Sequence, residues 1–231
     1  MDDAQRLQRI GERAARLVEH DSIVGLGTGS TVDAMLVALG ERVREGLNFS
    51  GVATSERTKN LARDYSITLL ALNDVQSLDV GIDGADEIDP DLNLVKGRGG
   101  ALLYEKLVAE RADQFVVIAS AEKLVDQLGT RLPLPVEVVP FGHIHTMRSV
   151  EALGVTPSLR LAEDGSPFVT DGGHYVVDCD SDGIADPGRL ANHLKAITGV
   201  VDHGLFVGMA HLALIIDGDG VITEHHAPGN D

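Results

Sequence analysis

The amino-acid sequence predicts an α/β fold: a doubly wound, mostly parallel Rossmann-like sheet with a second, smaller α+β domain of the ferredoxin-like kind. Three observations predict it. Short apolar runs alternate with amphipathic helical segments in the first half of the chain, as βα units do. One of these runs, QFVVIAS, is apolar nearly throughout, as a strand covered on both faces has to be. After about residue 128 the pattern changes to strands and helices with hairpin-like signals, introduced by LPLPVEVVP with its three prolines.

Residues 3–18 predict an amphipathic helix, with Leu7, Ile10, Ala14 and Leu17 on one stripe. SIVGLG is a strand ending in glycines, and STVDAMLVALGERV is the helix after it. FSGVAT, SERTKNLARDY and SITLLAL continue as strand, helix and strand. SLDVGID is the next strand, GALLYEKLVAERA a helix, and QFVVIAS a strand. The prolines of LPLPVEVVP mark a boundary. HIHTMRSVEALG is a helix closed by Gly154, and SLRLA and HYVVDC are strands. DPGRLANHLKAITG is a helix with Asp186 as N-cap, Pro187 at its first position and Gly199 just past its end. The tail GLFVGMAHLALIIDGDGVI is strand-like and is expected to return to the first sheet. The expected partition is a catalytic domain of residues 1–128 with 204–231 and a small domain of residues 129–203.

Composition narrows the function classes. The chain has 231 residues, 43% hydrophobic, enough for a real core. No apolar run reaches the roughly 18 residues of a membrane span. The charged, helix-patterned N-terminus is no signal peptide. The single Cys179 excludes an internal disulfide and fits a reducing cytoplasm. The formal charge is −17, from 36 acids against 19 Lys plus Arg. Phosphate backbones and anionic membranes need clustered positive charge, so neither nucleic acid nor membrane is an expected partner.

GLGTGST, Gly25 to Thr31, lies between a strand and a helix. Its backbone N–H groups and hydroxyls make a pocket for an anion. The dinucleotide fingerprint is not met, because the third glycine falls one residue early, and no Walker lysine follows. The motif fits a single phosphate, or a tight βα turn that binds nothing. GIDGADEIDPD brings Asp83, Asp86, Glu87, Asp89 and Asp91 to the end of a strand, where open α/β sheets bind ligands. Asp89 and Asp91 read as ordinary solvated acids. Asp83 and Asp86 flank a tight turn and aim at one point. DCDSDG matches the start of a calcium loop but has Arg189 where the bidentate Glu belongs. His143, His145, His225 and His226 lack the partners of a zinc site. Neither the aspartate segment nor the histidines form a recognised metal site.

Lys96 enters GRGG, where three glycines in four positions let the backbone approach a ligand closely. The following helix is apolar nearly all round and therefore expected to be buried. Glu105 projects among Ala101, Val108 and Ala109, with no Lys or Arg at i+4. Such a carboxylate is expected to hold its proton more tightly than usual, as a general base near neutrality requires. A pairing with a residue of another element is the alternative.

The segments VGLGTGST, GIDGADEID, LVKGRGGALLYEKLVA, PLPVEV and GVVDHGLF together resemble ribose-5-phosphate isomerase of the A type, in that family's order and over nearly the whole chain. The resemblance implies interconversion of D-ribose 5-phosphate and D-ribulose 5-phosphate in the pentose phosphate network, through an enediolate and without a cofactor. It implies that Thr28, Gly29, Ser30 and Thr31 hold the phosphate end. Asp83, Gly84, Ala85 and Asp86 line the sugar, and Lys96, Gly97, Arg98 and Gly99 form a second binding loop. Glu105 becomes the proton acceptor and Lys123 a further contact; a homodimer or homotetramer in the cytoplasm is common for such enzymes. Two residues depart from the family's pattern: Arg98 stands in a glycine position and Glu122 where a serine is usual. The rivals are a sugar-phosphate sensor, which would keep the turn and lose the base, another enzyme on a similar scaffold, and a nucleotide-binding domain.

Only five of the basic residues are lysines. An acidic, Lys-poor surface suits a high-salt cytoplasm, where screening weakens self-repulsion. The melting temperature is expected to rise between low and molar salt; a flat or falling curve would contradict this.

Overall fold

The computed structural model describes residues 1–228; the last three residues of the expected first domain, 229–231, lie outside them. In chain order the elements are α1 (Asp3–Ala15), β1 (Ile23–Leu26), α2 (Ser30–Arg44), β2 (Ser50–Ala53), α3 (Glu56–Asp64), β3 (Thr68–Leu69) and β4 (Val80–Asp83). They continue as β5 (Glu87–Ile88), β6 (Leu94–Val95), α4 (Leu102–Ala109), β7 (Phe115–Ser120), β8 (Leu134–Val138), α5 (His143–Glu151) and β9 (Thr156–Leu159). The chain ends with β10 (Tyr175–Asp180), α6 (Pro187–Lys195), β11 (Val200–His203), β12 (Leu205–Phe206), β13 (Leu212–Ile216) and β14 (Ile222–His226). Two compact units result. Among the described residues one comprises 1–85, 104–123 and 209–228, the other Asp86–Leu103 and Leu124–Gly208.

The first unit is built on a sheet of order β14-β13-β7-β4-β1-β2-β3, parallel except for β14. Its central strands are buried on both faces, which is why they read as apolar runs: Val24, Leu26, Ile82, Val116, Ile118 and Leu214 are all in the core. From β1 the chain winds outward through β2 to β3, then returns to the other side of β1 for β4, β7 and β13. The sheet therefore reverses between β1 and β4, and ligands of doubly wound sheets bind outside the carboxyl ends of the strands at such a reversal. The first helix starts at a capping box, in which the Asp2 carboxylate accepts the Gln5 N–H at 2.8 Å and the Gln5 side chain accepts the Asp2 N–H. Gly11 then lets α1 touch the backbone of α2, because a Cβ there would lie 2.6 Å from the Ala34 carbonyl carbon.

The second unit follows the order β8-α5-β9-β10-α6-β11, with an antiparallel sheet β11-β8-β10-β9, the ferredoxin-like arrangement. Val136, Val138, Val150, Val177, Cys179 and Leu194 form its core. A small antiparallel sheet, β12-β6-β5, belongs to the same unit. Asp186 caps α6 through the Arg189 N–H at 2.9 Å, with Pro187 at the first position.

Three expectations are revised. LPLPVEVVP is not a boundary: most of it is β8, which lies inside its sheet. Pro135 is tolerated because its carbonyl accepts from Gly204 N–H at 2.7 Å. The missing Pro135 N–H faces that same side, so the ladder with β10 loses nothing. SITLLAL yields only the two-residue edge strand β3 before a 3₁₀ turn at Leu72–Asp74. Residues 86–103 and 204–208 group with the second unit, because β5, β6 and β12 pair with one another rather than with the large sheet.

Cys179 is fully buried on β10, and that burial, with Asp178 and Asp180 nearby, pushes its thiol up to about 12. Thiolate is the reactive form. A disulfide reagent such as DTNB at pH 8 is therefore expected to leave the folded protein unmodified and to react fully in guanidinium; rapid labelling of native protein would contradict this packing.

Candidate active site

In the first unit, the carboxyl end of β1 runs into the glycine turn and that of β4 into the acidic turn. The two turns are fastened to each other. Asp83, 2% exposed, accepts the N–H of Thr28 at 3.0 Å and of Gly84 at 2.7 Å through Oδ1. Gly27 N–H donates to the Ile82 carbonyl at 3.0 Å. A Cβ on Gly27 would lie 2.1 Å from the Asp83 Cγ, so only glycine permits this contact. Gly29, with φ +127°, turns the chain into the N-terminus of α2 at Ser30 and Thr31. The Thr28 hydroxyl is engaged elsewhere. It joins a cluster with Thr54 and Ser55 at 2.8 Å and Thr58 at 3.2 Å, and Thr58 donates to the Gly27 carbonyl at 2.7 Å.

Ser30, Thr31, Ala85 and Lys123 line one cavity of about 170 Å³ with Arg6 and Glu122. Lys123 lies just beyond the carboxyl end of β7. Two cations, two hydroxyls and a helix N-terminus surround this small space, together with the carboxylates of Asp3 and Glu122. Arg6 is a residue that sequence reasoning missed. It stands beside the apolar stripe of α1, contacts Asp3 and lies 3.9 Å from Glu122. No local spacing marks it, because its neighbours in the cavity lie far along the chain. The Thr54-Ser55-Thr58 cluster had a faint signal: hydroxyls directly after a strand.

Glu105 sits in the first turn of α4 and is 4% exposed. One turn later Val108 packs on β1, its Cγ1 2.5 Å from where a Gly25 Cβ would be. Residues three apart share a helix face, so Glu105 faces the sheet too. The helix leads into the amino end of β7, which puts its first turn toward the carboxyl edge. The helix is not buried all round, as its apolar sequence suggested: Tyr104 and Leu107 are exposed, while Lys106 is buried.

The second unit holds the other candidates. Asp86 accepts the Arg98 N–H at 3.0 Å through Oδ2, and its own N–H donates to the Val95 carbonyl at 2.8 Å. Lys96 is 3% exposed, its Nζ 5.5 Å from the centre of the Phe206 ring, and its N–H donates to Gly204 O at 2.8 Å. Gly97, with φ +104°, begins the loop; Arg98 and Gly99 at its tip are exposed. The remaining acids are fasteners. The buried Glu87 accepts the N–H groups of Gly129 at 2.5 Å, Arg131 at 2.8 Å and Leu132 at 2.9 Å. Asp89 closes its own turn through the N–H groups of Asp91 and Asn93. Asp178 of the calcium-like segment pairs with Arg160, and Asp186 caps α6. Among the described residues, no three His, Cys, Asp or Glu side chains are grouped to hold a metal ion, and no helix is long and apolar enough to cross a membrane.

A doubly wound sheet whose reversal carries a glycine turn and an acidic turn fastened to each other, beside a small polar cavity, is the frame of an α/β enzyme with a small ligand. Comparison with known proteins gives the particular kind. Residues 50–220 match the family model of ribose 5-phosphate isomerase A (phosphoriboisomerase A). Ribose-5-phosphate isomerase A of Roseiflexus sp. is 51% identical over 230 residues, 99% of this chain and 98% of that one. Its counterpart in Synechococcus sp. is 50% identical over 218 residues, covering 94% and 95%. A solved D-ribose-5-phosphate isomerase in complex with phospho-erythronic acid has a TM-score of 0.94 at 34% identity, over 98% of this chain and all of that one. Ribose 5-phosphate isomerase A of Methanocaldococcus jannaschii has a TM-score of 0.93 at 33% identity, covering 97% and 100%. The chain belongs to the ribose 5-phosphate isomerase A family, and it is an aldose–ketose isomerase.

Because Gly27 is pressed against Asp83, Gly27→Ala is expected to destabilise the protein by about 1–3 kcal/mol in urea unfolding and to lower its turnover. An unchanged midpoint would mean that the two turns are not in close contact.

Proposed function

We propose that Glu105 is the base that carries a proton between C1 and C2 of the sugar phosphate. The observation that carries this reading is the placement of Glu105: a buried carboxylate in the first turn of α4, facing the sheet toward its carboxyl edge. Removing the C2 proton of the open-chain aldose gives an enediolate; the hydroxyl proton passes from O2 to O1, and returning the carbon-bound proton at C1 gives the ketose. General base catalysis of this kind contributes about 10²- to 10⁴-fold.

The developing oxyanion needs fixed donors, each contributing roughly 3 kcal/mol. Lys96 and the N–H groups of Gly97 and Gly99 take that role; the Arg98 N–H is already committed to Asp86. Asp83 exchanges a proton during ring opening, Gly84 and Ala85 line the sugar, and Asp86 orients hydroxyls. Ser30, Thr31, Lys123 and Arg6 hold the phosphate. Thr28 and Gly29 shape the turn that presents it. No metal or organic cofactor enters this reaction. Phospho-erythronic acid, whose carboxylate resembles the enediolate, is expected to inhibit by competition. The enzyme works as a homodimer or homotetramer in the cytoplasm.

The test is conversion of ribose 5-phosphate to ribulose 5-phosphate with a chelator present. Glu105→Gln is expected to lower kcat by about 10²-fold or more with KM changed only a few-fold, since the loss falls on the transition state. Arg6→Met is expected to do the opposite, raising KM about tenfold with kcat little changed, as lost ground-state binding does. Turnover retained in Glu105→Gln would sink the assignment.

A further inference from the structure

The glycine loop that follows Lys96 has a fastening that the reaction does not explain. Three of its four residues after the lysine are glycines, and Gly97 and Gly100 have φ of +104° and +79°. Such a segment loses much backbone freedom when ordered and makes a poor platform for catalytic donors unless something outside it fixes it.

Arg160, the residue after β9, provides that. Its Nε donates to Asp178 Oδ2 at 2.8 Å, and its Nη2 donates to Asp178 Oδ1. Its Nη1 donates at 3.0 Å to the carbonyls of both Gly97 and Arg98. Every nitrogen of the guanidinium is engaged, with the side chains of Arg160 and Asp178 only 15% and 21% exposed. A group so committed is not an anion-binding site. It is a fork whose plane is set by a bidentate carboxylate on β10. The Arg98 residue is thereby held from both ends, its N–H by Asp86 and its carbonyl by Arg160. Phe168 completes the grip: Arg160 Cζ lies 5.7 Å from its ring centre, and a Cβ on Gly100 would lie 2.5 Å from the ring edge.

We propose that Arg160, oriented by Asp178, is a positioning residue of the isomerase, which holds the Lys96–Gly99 loop in the geometry that stabilises the enediolate. Its charge also polarises the peptide between Arg98 and Gly99, which makes the Gly99 N–H a stronger donor. The inference rests on the role given above to the Lys96 loop.

The experiment compares Arg160→Lys, Arg160→Met and Asp178→Asn with the native enzyme. Kinetics are measured on ribose 5-phosphate, and inhibition with phospho-erythronic acid and with inorganic phosphate. Lysine keeps the charge but cannot span a carboxylate and two carbonyls. Arg160→Lys is expected to lower kcat about tenfold, Arg160→Met further, and Asp178→Asn about three- to tenfold, with KM within about threefold. Inhibition by the sugar acid should weaken in step with kcat/KM while inhibition by phosphate stays unchanged, a separation that mere loss of folded protein does not produce. The double variant Arg160→Met with Asp178→Asn should be no worse than Arg160→Met, because the two act as one unit. The proposal is overturned if Arg160→Lys and Asp178→Asn keep native kcat, or if both inhibitors weaken equally. Lys96→Met separates the two levels of the argument. An active Lys96→Met removes the loop's role and the positioning with it. An inactive Lys96→Met beside fully active Arg160 variants removes the positioning alone.

Discussion

The contact of Asp83 with the glycine turn is the constraint on which the site depends. Two parallel strands, β1 and β4, end side by side where the sheet reverses, and each must turn within two or three residues. The carboxylate of Asp83 satisfies the first N–H of one turn and the first N–H of its own. That fixes the direction in which α2 leaves, hence where the N–H groups at Ser30 and Thr31 point. The lack of a side chain at Gly27 is as much a part of this as the carboxylate. A polar group placed so deeply would cost about 1–3 kcal/mol if left unbonded, which makes the two turns a cooperative unit.

Carboxylates act as backbone fasteners elsewhere in the same motif. Asp86, Glu87 and Asp89 each accept main-chain N–H groups, Glu87 three of them. In a strongly acidic chain an acidic loop is easily taken for a solvated one. Here most of its carboxylates are consumed in shaping the loop. Bonds to a charged acceptor are worth roughly 1.5–3 kcal/mol each, more than neutral ones, so few are needed to pin irregular backbone.

How much of this was legible follows from how local each feature is. The doubly wound sheet could be read because burial on both faces leaves its mark strand by strand. Asp186, Pro187 and Gly199 bracketed α6 because capping is settled within a few residues. The glycine turn, Lys96 and Glu105 stood out as local motifs, helped by the family resemblance. Arg6 and Arg160 did not, because nothing in their own neighbourhoods distinguishes them from surface arginines. The central place of β8 was hidden for a related reason. Whether Pro135 breaks a strand depends on which side its missing N–H faces, and that is set by Gly204, some seventy residues away.

The distribution of cations extends the argument. Of the five lysines, Lys96 and Lys106 are buried and Lys123 lines the small cavity at the start of α2, while Lys59 and Lys195 pair with acids at the surface. Arginine takes the fastening positions. Arg42 donates to the carbonyls of Ala15 and Val18 at the end of α1, and Arg160 grips two carbonyls of the Lys96 loop. A planar fork can satisfy several carbonyls at once without swinging between them; an ammonium on a flexible stem cannot. Arg42 and Arg160 thus each hold two backbone carbonyls through a single planar fork. In a chain carrying nearly twice as many acids as bases, an arginine engaged with carbonyls can itself be oriented by a carboxylate, as Asp178 orients Arg160.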